Sequence, residues 1–194
     1  ASTAKQRMIE VGAQAIMAKS FDAVGINQVL ADAGVPKGSF YHHFKSKEAF
    51  GVAVVEHTTR VHEERLREHL LEEEGSPLGR LRAFFEFVRQ HHAEHGTTRE
   101  CLVAKMALDQ ANLSAPIQAD IKRGFDAWRD VVAECIRRAQ EAGEVRADLG
   151  PDRAADVLNA CWEGVMVRMQ ADRDGSIIDT FLELVFERVL ESPG

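Results

Sequence analysis

The 194-residue sequence has one tyrosine, two tryptophans, three cysteines and five prolines, and no long uninterrupted apolar run. Each shortage excludes something. A helix that crosses a bilayer needs about 20 predominantly apolar residues, so no membrane span is expected. The first stretch, ASTAKQRMIEVGAQAIMAK, is amphipathic and lacks the pure apolar core of a secretory signal. Cys101, Cys135 and Cys161 are far apart and form neither an even disulfide set nor a metal pattern, which favours a reducing, cytoplasmic setting. There is no phosphate loop, dinucleotide-binding glycine pattern or nucleophile elbow, and the paired carboxylates read as solvated helix faces. No catalytic group, metal or cofactor is expected.

What is present is helical periodicity and an uneven charge. Apolar residues make up 45% of the chain, enough for one core or two small ones. The net charge of −7 hides an asymmetry: residues 1–47 carry six basic and three acidic side chains, whereas the remainder carries 18 basic and 28 acidic. A small basic head on a larger acidic body is the informative quantity.

Nearly every segment repeats at helical period, and none alternates like a strand, so the expected fold class is all-α with about nine helices. The first helix is expected at about Ala4–Lys19, the second from Ile26 to Ala33 with Gly34 as its stop, and the third at about Lys37–Phe44. A long fourth helix begins after Ser46 and reaches about Glu74, where Gly75-Ser76-Pro77 breaks the pattern and opens a fifth that runs to His95. The sixth is placed after Thr98 to roughly Gln110, and the seventh from Ser114 to just before Gly143. Gly150-Pro151 opens the eighth; Ser176 caps the ninth, with Asp179 at the capping-box position. The last two helices are apolar over more than half their circumference, as expected of a surface that packs on a symmetry mate. Val157, Cys161, Val165, Phe181 and Val185 are the expected homodimer contacts.

The segment INQVLADAGVPKGSFYHHF reads as two short helices joined at Gly34, the shape of a helix-turn-helix whose second helix enters the DNA major groove. Phe40 and Phe44, four apart, share the inward face and anchor a helix too short to stand alone. Gly38, Tyr41 and His42 point outward, with Ser39 and His43 on the flank. Ser39, Tyr41 and His42 offer hydrogen bonds to phosphates or base edges, and Gly38 permits close backbone approach. Lys37 and Lys47 bracket the helix, with Lys47 in the first turn of helix 4, where free N–H groups favour anions. His42 and His43 diverge by about 100° and do not chelate one ion.

The stretch FDAVGINQVLADAGVPKGSFYHHFKSKEAF resembles the DNA-binding signature of the tetracycline-repressor family of one-component transcriptional regulators. Val24-Gly25 departs from a Thr/Ser-type pair that often caps helix 2 and touches phosphate, and Leu30 takes a slot often held by Ala. Gly25 can still serve as N-cap and is kept among the DNA-facing positions. The resemblance implies a head of residues 1–47, an effector-binding and dimerisation body of residues 48–194, a near-palindromic double-stranded operator and release by a ligand. ECLVAKMALDQANLSAPIQADIKRGFDAW is similar to the branch that governs electrophile and acrylate metabolism, where a cysteine at the position of Cys101 senses reactive species.

Cys101 has a separate physical case. With Thr98 as N-cap it is the third helical residue, near Arg99 and Lys105, a setting that lowers a thiol pKa. Cys135 and Cys161 lie mid-helix and read as core. Phe85, Phe125, Trp128, Trp162 and Met166 are candidates for an effector cavity, bundle interiors being where helical proteins place ligands; ordinary core is the competing reading. His91 and His95 have i,i+4 spacing without an evident third ligand, and read as a solvated face at a helix C-terminus. A helical ligand-binding bundle with no DNA role is the rival overall reading, and a non-covalent effector is the rival to thiol chemistry.

Overall fold

The computed structural model describes residues 2–95, 101–110 and 112–190, with the side chains of residues 92, 93 and 95 left out of account. Among them are nine α-helices: α1 (Ala4–Ala18), α2 (Ile26–Asp32), α3 (Phe40–His43), α4 (Lys47–Arg67), α5 (Pro77–His95), α6 (Leu102–Gln110), α7 (Ala115–Glu141), α8 (Pro151–Asp172) and α9 (Ser176–Leu184). Two π-helical turns, Glu68–Glu72 and Val185–Leu190, extend α4 and α9. No described helix is long and apolar enough to cross a membrane.

The helix limits follow from local chemistry. Thr3 and Gln6 form a reciprocal capping box at the start of α1. Ser46, Ser76 and Ser114 accept the N–H groups of Ala49, Gly79 and Ile117, which starts α4, α5 and α7. Gly34 (φ +62°) ends α2 in a Schellman motif: its own N–H reaches the Ala31 carbonyl and Val35 N–H reaches Leu30. Two expected boundaries are corrected. α3 begins at Phe40, not Lys37, because Gly38 stands at φ +97° and turns the chain out of the right-handed helical region. At α9, Asp174 accepts both the N–H and the hydroxyl of Ser176, while Asp179 pairs with Arg89 at 2.8 Å; the expected Ser176–Asp179 capping box does not form.

The chain divides into two compact units. The first comprises Ala1–Val61 and Cys101–Phe125, the second His62–Glu100 and Asp126–Gly194. Met8, Ile16, Val29, Phe40, Phe50, Val54, Met106 and Ile117 lie in the core of the first; Phe50 packs edge-on to Phe40 and Phe44, which are tilted to each other, with centroids 5.1–5.4 Å apart. Within it α4 and α7 lie side by side: Ser114 donates to Glu48 at 2.7 Å, and Gly51 meets Ile117 as Gly124 meets Thr59.

The second unit is centred on Phe85, fully buried against Trp162 (4.8 Å), Phe181 (5.1 Å) and Phe186 (6.2 Å). The break after α4 is tied down by Arg80, which donates to the carbonyls of Leu70, Glu73 and Gly75. Glu144 accepts the N–H of Leu78 at the opposite side of that break. Three expectations about α8 and α9 change. Cys161 is exposed and not core. Phe181 and Val165 are buried inside their own unit, so they are not surface available to a second copy. Val157 is 61% exposed and Val185 half-buried; Leu184 and Val189, not singled out from the sequence, are exposed beside them in the chain.

Candidate nucleic-acid interface

The helix-turn-helix is built from α2, the Gly34 turn and α3. Phe40 and Phe44 are buried, which fixes the outward direction of everything between them. Tyr41 is 67% exposed with its ring edge-on to Phe40 at 5.4 Å, and His42 is exposed; Ser39 and His43 are partly covered. The two imidazoles stand nearly perpendicular, and no group of three or more metal-ligating side chains occurs among the described residues. Lys37 and Gly38 are exposed ahead of the helix. A Cβ on Gly38 would meet nothing within 4 Å, so it is the positive φ, rather than close approach by neighbouring protein atoms, that calls for glycine. Gly25 is the exposed N-cap of α2 and carries no side-chain cap.

Two cations tie down the chain on either side of α2. Arg7 of α1 donates from Nε to the Ala33 carbonyl (3.1 Å), at the C-terminus of α2. Lys47 donates from Nζ to the Asp22 carbonyl (3.0 Å), ahead of α2, and lies 5.1 Å from the centre of the Phe21 ring. A cation suits the orphan carbonyls at a helix C-terminus, as Arg7 does for α2. The sequence reading placed Lys47 near phosphate and missed this clamp, and it missed Arg7 altogether. The only available signal for Arg7 was its i,i+4 distance from Val11 on an amphipathic helix, which says nothing of a carbonyl 26 residues away.

The model for "Bacterial regulatory proteins, tetR family" matches residues 8–54, and that for "Tetracyclin repressor-like, C-terminal domain" matches residues 77–185. The chain belongs to the tetR family. The HTH-type transcriptional repressor DhaR of Mycobacterium sp. (strain GP1) is 33% identical over 97% of this chain and 93% of its own. The transcriptional regulator AcuR of Cereibacter sphaeroides is 34% identical over 89% and 78%. The reduced form of E. coli NemR superposes with a TM-score of 0.91 at 28% identity, covering 98% of both chains. This regulator is therefore a helix-turn-helix transcriptional regulator, and its all-α architecture is that of the family.

The residues expected at an effector site in this regulator fall into two groups. Phe85, Trp128, Trp162 and Met166 are buried in the core of the second unit. Phe125 and Cys101 are half-buried against the core of the first, which also contains Lys105. Thr98 and Arg99, invoked as cap and neighbour of Cys101, lie outside the described residues. Cys101 is not the third residue of α6: its carbonyl accepts the N–H of Lys105 (2.9 Å), so it stands just before the first helical residue, Leu102. That is still the positive end of the helix. Cys135 is fully buried, its Sγ donates to the Pro77 carbonyl (3.2 Å), and burial pushes its pKa up to about 11. The expected core role of Cys135 fits that position. His91 stacks on Phe87 with centroids 6.2 Å apart; the side chain of His95 lies outside the described residues.

Proposed function

We propose that the chain is a homodimeric repressor which binds a near-palindromic operator through residues 1–47 and is released by a small molecule or an electrophile acting on residues 48–194. The observation that carries the first half is α3. Its apolar residues are consumed in the core, while Tyr41 and His42 on it, and Lys37 just ahead of it, remain exposed on the side that a helix-turn-helix presents to the major groove. Ser39, Gly38, Gly25 and Lys47 complete the proposed contact surface, mostly to the phosphate backbone. Lys47 has three N–H donors and spends one on Asp22, so the same ammonium serves clamp and phosphate. Two heads on a dimer read half-sites about 34–36 Å apart or a multiple of that. An effector with differential affinity for another spacing lowers operator affinity by that difference.

For the effector, the observation is Cys101, half-buried at the N-terminus of α6. The names of the relatives describe repressors and a regulator and leave the effector open. Operator binding by wild type and Cys101→Ser, both carrying Cys161→Ser so that the exposed thiol does not consume the reagent, is measured before and after one equivalent of N-ethylmaleimide. Release of the wild type with retention of the mutant is the expected result. Equal release of both, or none, replaces thiol alkylation by a non-covalent ligand, for which the aromatic cluster around Phe85 and Trp162 is the alternative site.

A further inference from the structure

We propose that Lys105 is a positioning residue for operator recognition: through it, helix α6 holds the C-terminal turn of α1 and so fixes the orientation of the helix-turn-helix. Its Nζ donates to the Met17 carbonyl at 2.8 Å, across 88 residues of sequence, in a half-buried setting. Met17 lies in the last turn of α1, whose final carbonyls have no helical partner and whose own last turn has no basic side chain. The cation that this helix end favours comes from α6 instead.

The bond reaches the element on which the head is assembled. α1 grips α2 through Arg7 and the Ala33 carbonyl. It approaches α4 so closely at Gly12 that an added Cβ would lie 2.2 Å from Phe50 Cζ. Leu102, Val103 and Met106 of α6 are buried in the same apolar core as Met8, Ile9 and Ile16 of α1. Apolar contact resists separation but is non-directional. The Lys105 bond adds a directional contact, so that a displacement of α6 is passed to α1 and on to α2. The inference rests on the DNA-binding reading above and adds a residue that is not among the proposed DNA contacts.

The experiment uses the full-length dimer and a site selected from random-sequence DNA by the wild type. Affinity is measured for that site, for variants with two base pairs inserted between half-sites, and for non-specific DNA, over a range of salt. Lys105→Met is expected to lower the preference for the selected spacing by about tenfold or more, the scale of one charge-assisted hydrogen bond. Its salt slope and non-specific affinity are expected to match the wild type, and Lys105→Arg, which keeps a charged donor, is expected to restore the preference. A slope lowered by about 0.9 would instead make Lys105 a phosphate contact and overturn the proposal. An unchanged spacing preference in Lys105→Met overturns it too, even if the melting temperature falls, since a purely structural role changes the folded fraction and not the preferred spacing. If the methionine variant does not fold, Lys105→Gln is read in the same way. A wild type that selects no sequence defeats the DNA-binding reading itself, a result distinct from either of these.

Discussion

Single side chains in this regulator often have two claims on them, and experiments can separate the claims. Lys47 donates to the Asp22 carbonyl and stands at the N-terminus of α4, where a phosphate is also favoured. Lys47→Ala should lower affinity for all DNA and reduce the log–log salt slope by about 0.9. A lowered specific affinity with the slope intact would assign the residue to the carbonyl clamp alone. The cysteines differ in the same instructive way. Cys161 is exposed, Cys101 half-buried and Cys135 enclosed. In the native protein a maleimide should label Cys161 and leave Cys135 untouched, as read by mass spectrometry of the digested adduct. Burial holds the Cys135 thiol protonated to about pH 11, above its ordinary value of 9.0. The stability it contributes is complete below about pH 9 and is lost as pH rises through 11, a loss of order 2–3 kcal/mol that Cys135→Ala should remove from the alkaline unfolding profile.

At the scale of the helix, close packing reverses an ordinary rule. Alanine usually stabilises a helix interior relative to glycine by about 0.5–1 kcal/mol. Gly12 faces Phe50, and a Cβ there would lie 2.2, 3.0 and 3.2 Å from three ring atoms. The ring is fixed in turn by Phe40 and Phe44. Gly12→Ala should therefore destabilise by about 1–3 kcal/mol in denaturant melts. Helix ends were largely legible in the sequence wherever one residue decides them: Gly34, Ser46, Ser76, Ser114 and the Gly150-Pro151 pair act through bonds to neighbours in the chain. Legibility failed where two local options competed. Asp174 and Ser176 both fit the start of α9, and only Arg89, 90 residues earlier, draws Asp179 away. The outward face of α3 was legible because Phe40 and Phe44 leave one side for the core. The partners of Arg7, Lys47 and Lys105 were not, because each is a carbonyl, and a carbonyl has no sequence signature.

Across the whole molecule, the surfaces of α8 and α9 that remain exposed and apolar are the place to test assembly. Leu184 is 52% exposed and Val157 61%, whereas Phe181 is packed against Phe85 and Trp162. Leu184→Arg should give a folded monomer by analytical ultracentrifugation, with a near-native melting temperature and no tight operator binding. Phe181→Arg should fail at an earlier stage by unfolding, because it places a charge among buried aromatics. A Leu184→Arg variant that stays dimeric would move the contact to another face. The path of the chain has a further consequence, for protein engineering. The unit that contains the helix-turn-helix is discontinuous: the chain leaves it after Val61 and returns at Cys101. Leu102, Val103, Met106, Ile117 and Ile121 come back to complete the core around Met8, Ile16 and Phe50. A chimaera that grafts only the first 50 or so residues onto a foreign sensor would inherit the reading surface without the part of its core that Leu102, Val103, Met106, Ile117 and Ile121 supply. A graft that keeps its footing must carry residues 101–125 as well, as two spliced segments.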